Sequence, residues 1–259
     1  MTTTPREALR GSVTRLAVTR TAGRVRVDTE VAGDPGSPAL RPMLLGSDAS
    51  SARVCLVPDG AVLLAGDALR LEVVVGDGAT LTLVEPTGTV AYNMDGAEAG
   101  WQASITLGDG ATLVWAAEPF VVAAGASVRR TTQVTVGRGA RLALRETLVL
   151  GRHGERPGRG RVDWSAYDGD GRPLLVESLE LDGRSALPGI LGGPGSVHRV
   201  LGSVTALGLD LPAGAAPAGR LDLERGGTTW RQLAHDAHRL PAEPWDVVLR
   251  ALDARAPGD

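Results

Sequence analysis

The sequence predicts an all-β fold, of stacked β-hairpins or solenoid-like sheets with a small C-terminal helical element. Three observations predict it. Six stretches alternate or run apolar over strand lengths: 69–75 (LRLEVVV), 80–84 (TLTLV), 101–107 (WQASITL), 112–116 (TLVWA), 131–136 (TTQVTV) and 141–144 (RLAL). The chain holds 35 glycines, which interrupt any long helix in this region. A motif also repeats: Gly76-Asp77-Gly78-Ala79-Thr80-Leu81 returns as Gly108-Asp109-Gly110-Ala111-Thr112-Leu113 and again as Gly137-Arg138-Gly139-Ala140-Arg141-Leu142.

In each copy a strand enters Gly-x-Gly and a second strand leaves it, which reads as a hairpin whose turn needs positive φ. Spacings near 30 residues suit stacked β units that bury their apolar faces on one another. On either side, 33–43, 154–161 and 186–195 read as Gly/Pro/Arg loops. The expected layout is one domain over 1–259. Its β-rich body covers about 1–207, an Ala/Gly/Pro linker about 208–220, and a helical C-terminal piece about 227–252. Within that piece, Thr228 or Thr229 would cap a helix through Leu240, and Trp245 to Leu252 would form a second, divided by Pro241 and Pro244.

Composition excludes several kinds of chemistry. At 259 residues the chain can bury a core without staples, and its single cysteine, Cys55, offers neither an internal disulfide nor a zinc site of its own. All 27 basic residues are arginine. Without lysine there is no Schiff base and no nucleotide-phosphate lysine of the P-loop kind. A net charge of −3, with five tryptophans, two tyrosines and one phenylalanine, argues against nucleic-acid binding. No apolar run approaches membrane-spanning length and the N-terminus shows no signal-peptide pattern, so a cytoplasmic protein is expected.

No catalytic motif is present. The glycines at 189, 192, 193 and 195 lack a dinucleotide-binding context. His235 and His238 stand three apart on the expected helix, either as a metal-binding face or as a solvated one. His153, within Leu150-Gly151-Arg152-His153-Gly154-Glu155, marks either a plain charged turn or a docking epitope. The acidic residues are more informative. Glu85, Glu118 and Glu146 each follow the second strand of a repeat, and Glu177 and Asp182 continue the series. Stacked units would bring them into rough register, either as solvated strand ends or as a cation-accepting groove, since a row of carboxylates is costly unless hydrated, paired or bound to cations.

One known family matches this order of motifs. Gly66-Asp67 with Leu69, Leu71 and Val73; Thr87 to Tyr92; Leu113 to Trp115 with Glu118-Pro119-Phe120; Gly125-Ala126; and Glu146-Thr147-Leu148-Val149-Leu150-Gly151-Arg152 with Gly154-Glu155 together resemble the UreD (UreH) family of urease accessory proteins. The resemblance implies a mainly β, non-enzymatic chaperone of nickel insertion that binds apo-urease and UreF, with the GTPase UreG recruited through UreF. It implies no stably bound cofactor, only transient nickel. Glu85, Glu118, Glu146 and Glu177 are then a candidate nickel path, and Tyr92, Arg152, His153 and Glu155 candidate partner contacts. The competing readings are a β-solenoid carbohydrate-active enzyme and a structural β-repeat protein; the scarcity of aromatic sugar platforms counts against the first, and the low repeat number against the second.

Overall fold

The computed structural model describes residues 10–21, 23–60, 62–183, 198–216 and 218–254. The expected loop at 186–195, with its glycine cluster, lies outside them. Along the chain, β1 (Arg10–Thr21) and β2 (Arg24–Gly33) form an antiparallel hairpin, as do β3 (Ala39–Ser47) and β4 (Ser51–Asp59). After the short β5 (Val62–Leu63) the chain winds in coils. The first holds β6 (Asp67–Val75), β7 (Thr80–Val84) and β8 (Thr89–Ala91). The second holds β9 (Ala99–Leu107), β10 (Thr112–Ala116) and β11 (Phe120–Val122), and the third β12 (Ser127–Val136) and β13 (Arg141–Leu150). A further hairpin, β14 (Arg159–Asp168) and β15 (Pro173–Asp182), precedes β16 (Val200–Leu207), β17 (Arg220–Asp222), β18 (Thr228–Ala234) and the helix α1 (Glu243–Asp253).

These strands make two sheets. The first runs β15-β14-β12-β9-β6-β1-β2, and the second β17-β18-β16-β13-β10-β7-β4-β3, with β5, β8 and β11 continuing its middle coils. Coil on coil the pairing is parallel. Thr80, Thr112 and Arg141 sit side by side, as do Leu83, Trp115 and Leu144. Inward residues of both sheets, including Leu71, Val73 and Ile105 from the first and Leu83, Leu113 and Leu142 from the second, merge into one buried cluster.

The Gly-x-Gly motifs are therefore not hairpin turns. The strands flanking each motif lie in different sheets, so the chain turns a corner between layers, and each strand pairs with its equivalent in the next coil. The physical reason is the repeat itself: identical apolar alternation at offsets of 32 and 29 residues lets parallel neighbours bury the same face, which an antiparallel pair at a corner does not. Positive φ is needed at the corner all the same. Gly78, Gly110 and Gly139 have φ of 61°, 67° and 66°. The corners also bond to one another: Asp77 Oδ1 accepts the Asp109 N–H at 2.8 Å, and Asp109 Oδ1 accepts that of Arg138 at 2.8 Å.

The C-terminal expectation is half corrected. Thr228–Ala234 is a strand, not a helix, because its β-branched and aromatic residues complete the open edge of β16. Trp245 to Leu252 is helical within α1, with Pro244 in the first turn where a missing N–H costs nothing. The stretch read as a linker is packed: Leu209 and Ala216 are buried with Trp230, whose indole N–H donates to the Ala216 carbonyl at 2.7 Å. The expected loops 33–43 and 154–161 give way to strand at Ala39 and Arg159. His235 and His238 share no helix face; His235 Nδ1 lies 3.1 Å from Asp236 instead.

A Cβ at Gly110 would meet no atom closer than 3.9 Å, so its substitution tests backbone strain alone. Gly110→Val should lower stability by about 1–3 kcal/mol, the usual cost of forcing a side chain into that region. A melting temperature equal to that of the parent protein would refute the corner assignment.

Candidate functional site

The second sheet is interrupted at one level. Between β7 and β8 the chain leaves the ladder at 85–88, and between β10 and β11 at 117–119, while β13 passes unbroken beside them. The offset to β13 changes from 29 at Thr112–Ala116 to 28 at Phe120–Val122, so one residue is extra at the break. Gly88 is required there, since a Cβ on it would stand 2.2 Å from the Pro119 carbonyl oxygen. The break is where Glu85 and Glu118 sit, level with Glu146 on β13.

Glu85 points inward. Its Oε1 accepts the Trp115 indole N–H at 2.8 Å and its Oε2 the Glu118 backbone N–H at 3.2 Å. Burial pushes its carboxyl up to about 7, against the pull of these donors and of the nearby Arg130 charge. Glu146 is held by Arg130, whose Nη2 lies 2.7 Å from Glu146 Oε1. Both side chains are sequestered, at 7% and 13% exposure. Arg130 comes from β12 of the opposite sheet, on the inward row Leu69, Trp101, Arg130, Val162, and its guanidinium lies 4.8 Å from the Trp101 ring and 5.0 Å from the Phe120 ring. Those π faces replace part of the hydration it has lost.

Further toward the C-terminal edge, Glu177 on β15 pairs with Arg231 on β18, again from one sheet to the other. Between the two ion pairs lies a cavity of about 260 Å³, lined also by Trp164, Leu148 and Leu201, with the exposed Leu221 at its rim. A narrow cleft on the other side of Arg130 is bordered by Glu85, Trp115 and Glu118. A third hollow of about 220 Å³, beneath α1, is bordered by both Glu118 and Glu146. Glu118 thus stands at the break in the sheet, with the inner cleft on one side and the hollow under α1 on the other.

The four glutamates chosen from sequence therefore occupy one seam, yet not as an open row. Two are paired with arginines and one with an indole, and among the described residues no three His, Cys, Asp or Glu side chains converge into a metal-binding group. Sequence reasoning overlooked Arg130 and Arg231. The signal for Arg130 was its place on the same alternating face as Val128, Thr132, Val134 and Val136, an inward position held by a charge.

The second candidate group forms at the far end of the coils. Arg152 stacks 5.2 Å from the Tyr92 ring and its Nε donates to Glu155 Oε1 at 2.8 Å. Glu155 Oε2 accepts the Arg152 backbone N–H at 3.1 Å. The arginine holds the Glu155 carboxyl down to about 2. His153 is exposed between them. The structure thus brings Tyr92, Arg152 and Glu155 together, with His153 presented outward.

Comparison with known proteins gives a consistent result. The family described as UreD urease accessory protein matches residues 11–256. A protein named urease accessory protein UreD 1 from Streptomyces griseus subsp. griseus is 48% identical over 207 residues, 79% of this chain and 78% of that relative. Urease accessory protein UreD 2 of Saccharopolyspora erythraea is 36% identical over 180 residues, 68% of this chain and 62% of its own length. The UreD protein of Streptomyces coelicolor is 34% identical over 207 residues, 73% and 80% respectively.

The Glu85 carboxyl gives the site a pH signature. Its folded value, about 7, exceeds the ordinary 4.5, so the folded state binds that proton more tightly than the unfolded chain. The stabilisation is complete below pH 4.5 and is lost as pH rises to 7, amounting to about 3 kcal/mol by proton linkage. Denaturant titrations across this window should show stability falling in the parent protein and a flatter profile in Glu85→Gln. Equal slopes in both would place Glu85 in a solvated setting.

Proposed function

The chain belongs to the family of UreD urease accessory proteins, and on that premise we propose that it is a non-enzymatic chaperone of urease maturation, acting in the cytoplasm in complex with UreF, the GTPase UreG and apo-urease. Its contribution is a hydrated passage for nickel ions, from the hollow under α1, past Glu118 at the sheet break, to the cavity between Glu146 and Glu177. The observation that carries this reading is the seam itself: Glu85, Glu118, Arg130, Glu146, Glu177 and Arg231 run beside a core built mainly of aliphatic and aromatic side chains. Burying such charges costs stability that an apolar core would not forgo. A transport role accounts for that cost. Oxygen donors suit the task, since carboxylates bind nickel weakly enough to release it, whereas thiolate or imidazole cages hold it.

The absence of lysine fits the division of labour, because nucleotide hydrolysis then falls to UreG. Partner contact is supported by the exposed Met43, Leu44 and Leu45 on the edge strand β3 and by the Tyr92–Arg152–Glu155 group with His153. No helix among the described residues is long and apolar enough to cross a membrane.

The test is a combined Glu85→Gln, Glu118→Gln, Glu146→Gln and Glu177→Gln variant, which keeps side-chain size and one acceptor oxygen at each position while removing charge. It should still co-elute with UreF, UreG and urease, yet yield urease with less nickel and lower activity. Full nickel loading would return these residues to a structural role. Arg152→Ala should weaken co-elution while leaving the melting temperature nearly unchanged, because its ion pair is half exposed; undiminished co-elution would remove this group from the interface.

A further inference from the structure

We propose that Arg130 is the gate of this passage: its guanidinium, held against Glu146 beneath Trp101 and Phe120, bars a divalent cation from crossing between the cleft beside Glu85 and the cavity beside Glu177 until the ion pair is exchanged. The proposal rests on the passage reading above and adds its regulation.

Position comes first. Arg130 borders both the inner cleft and the 260 Å³ cavity, so its guanidinium stands between two spaces lined by carboxylates. Charge comes second. A fixed cation at that point repels a second cation, and between buried walls the repulsion is stronger than in bulk water. While paired, it also cancels the Glu146 carboxylate, the anion a passing ion would use.

Third, the arrangement has somewhere to move. One nitrogen, Nη2, is tied to Glu146, while Nε has no hydrogen-bond partner among the described residues. Across the cleft, Glu85 already feels the Arg130 charge. The arginine thus has a second carboxylate within electrostatic reach. A divalent cation competing for Glu146 would release the guanidinium toward Glu85, so that entry of the ion and displacement of the barrier are one exchange. The flanking rings permit such a shift, since they attract the guanidinium charge without fixing which carboxylate it bonds. A role in stability alone explains the pair less well, as well-packed apolar residues in place of a buried ion pair are often neutral or stabilising.

The experiment uses the full chain assembled with UreF, UreG and apo-urease, supplied with nickel(II) salt, and follows the rate at which nickel appears in urease. Glu146→Gln removes the carboxylate that an entering ion takes in exchange for the guanidinium, and should slow delivery about tenfold, equivalent to roughly 1.4 kcal/mol of added barrier. The double variant Arg130→Met/Glu146→Gln removes barrier and partner together, leaves no unpaired charge, and should deliver at or above the parent rate. Equal slowing in both variants would overturn the gate while sustaining the passage, with Glu146 then a ligand in its own right. Parent rates in both would overturn the passage as well. Where Glu146→Gln alone fails to assemble, the double variant decides, and its failure to co-elute with its partners would make the pair structural and overturn the gate.

Discussion

The ion pair between Arg130 and Glu146 is the interaction around which the interior is organised. It joins β12 of one sheet to β13 of the other, between layers that meet mostly through apolar side chains. Taking two charges out of water costs several kcal/mol apiece, and only close geometry with added partners recovers it. Here the partners are each other and two aromatic faces. Glu85 depends on the same arginine, since without that positive charge its burial would push the carboxyl higher still. The cavity toward Glu177 ends at this pair. Arg130, Glu146 and Glu85 thus form one electrostatic unit.

What allows such a unit to form is the parallel stacking of coils. Equivalent residues are placed side by side, so the Trp115 indole reaches back one coil to Glu85, and Asp77 and Asp109 tie successive corners together. A one-residue irregularity at 117–119 opens the sheet at the level where the carboxylates gather. A regular solenoid would have closed it. The break, Gly88 against Pro119 and the extra residue therefore form one feature, in which local disorder of the ladder produces access to the interior.

Much of this was legible in the amino-acid sequence. Alternation located the middle strands, and the thrice-repeated Gly-x-Gly located the corners, because backbone chirality leaves little else that can occupy them. The acidic positions were legible by recurrence, and Glu85, Glu118 and Glu146 do lie at one level. Hairpin and corner share the same local chemistry and differ only in which strand lies alongside, a long-range choice that local patterns do not encode. For the same reason Thr228–Ala234 read as a helix: the open edge of β16 that it completes is visible only after folding. The arginines of the seam were hidden because a charge in a strand ordinarily faces water.

The central claim, that Arg130 and Glu146 form one buried and mutually dependent unit, is tested most directly by a double-mutant cycle on folding stability. Arg130→Met, Glu146→Gln and the double variant would be unfolded in denaturant beside the parent protein. Each single change strands a buried group, so the losses should be strongly non-additive, with a coupling of about 1–3 kcal/mol and a double variant more stable than the weaker single one. Additive losses, or single variants as stable as the parent, would mean that the two side chains act independently, and the account of them as one electrostatic unit would be contradicted.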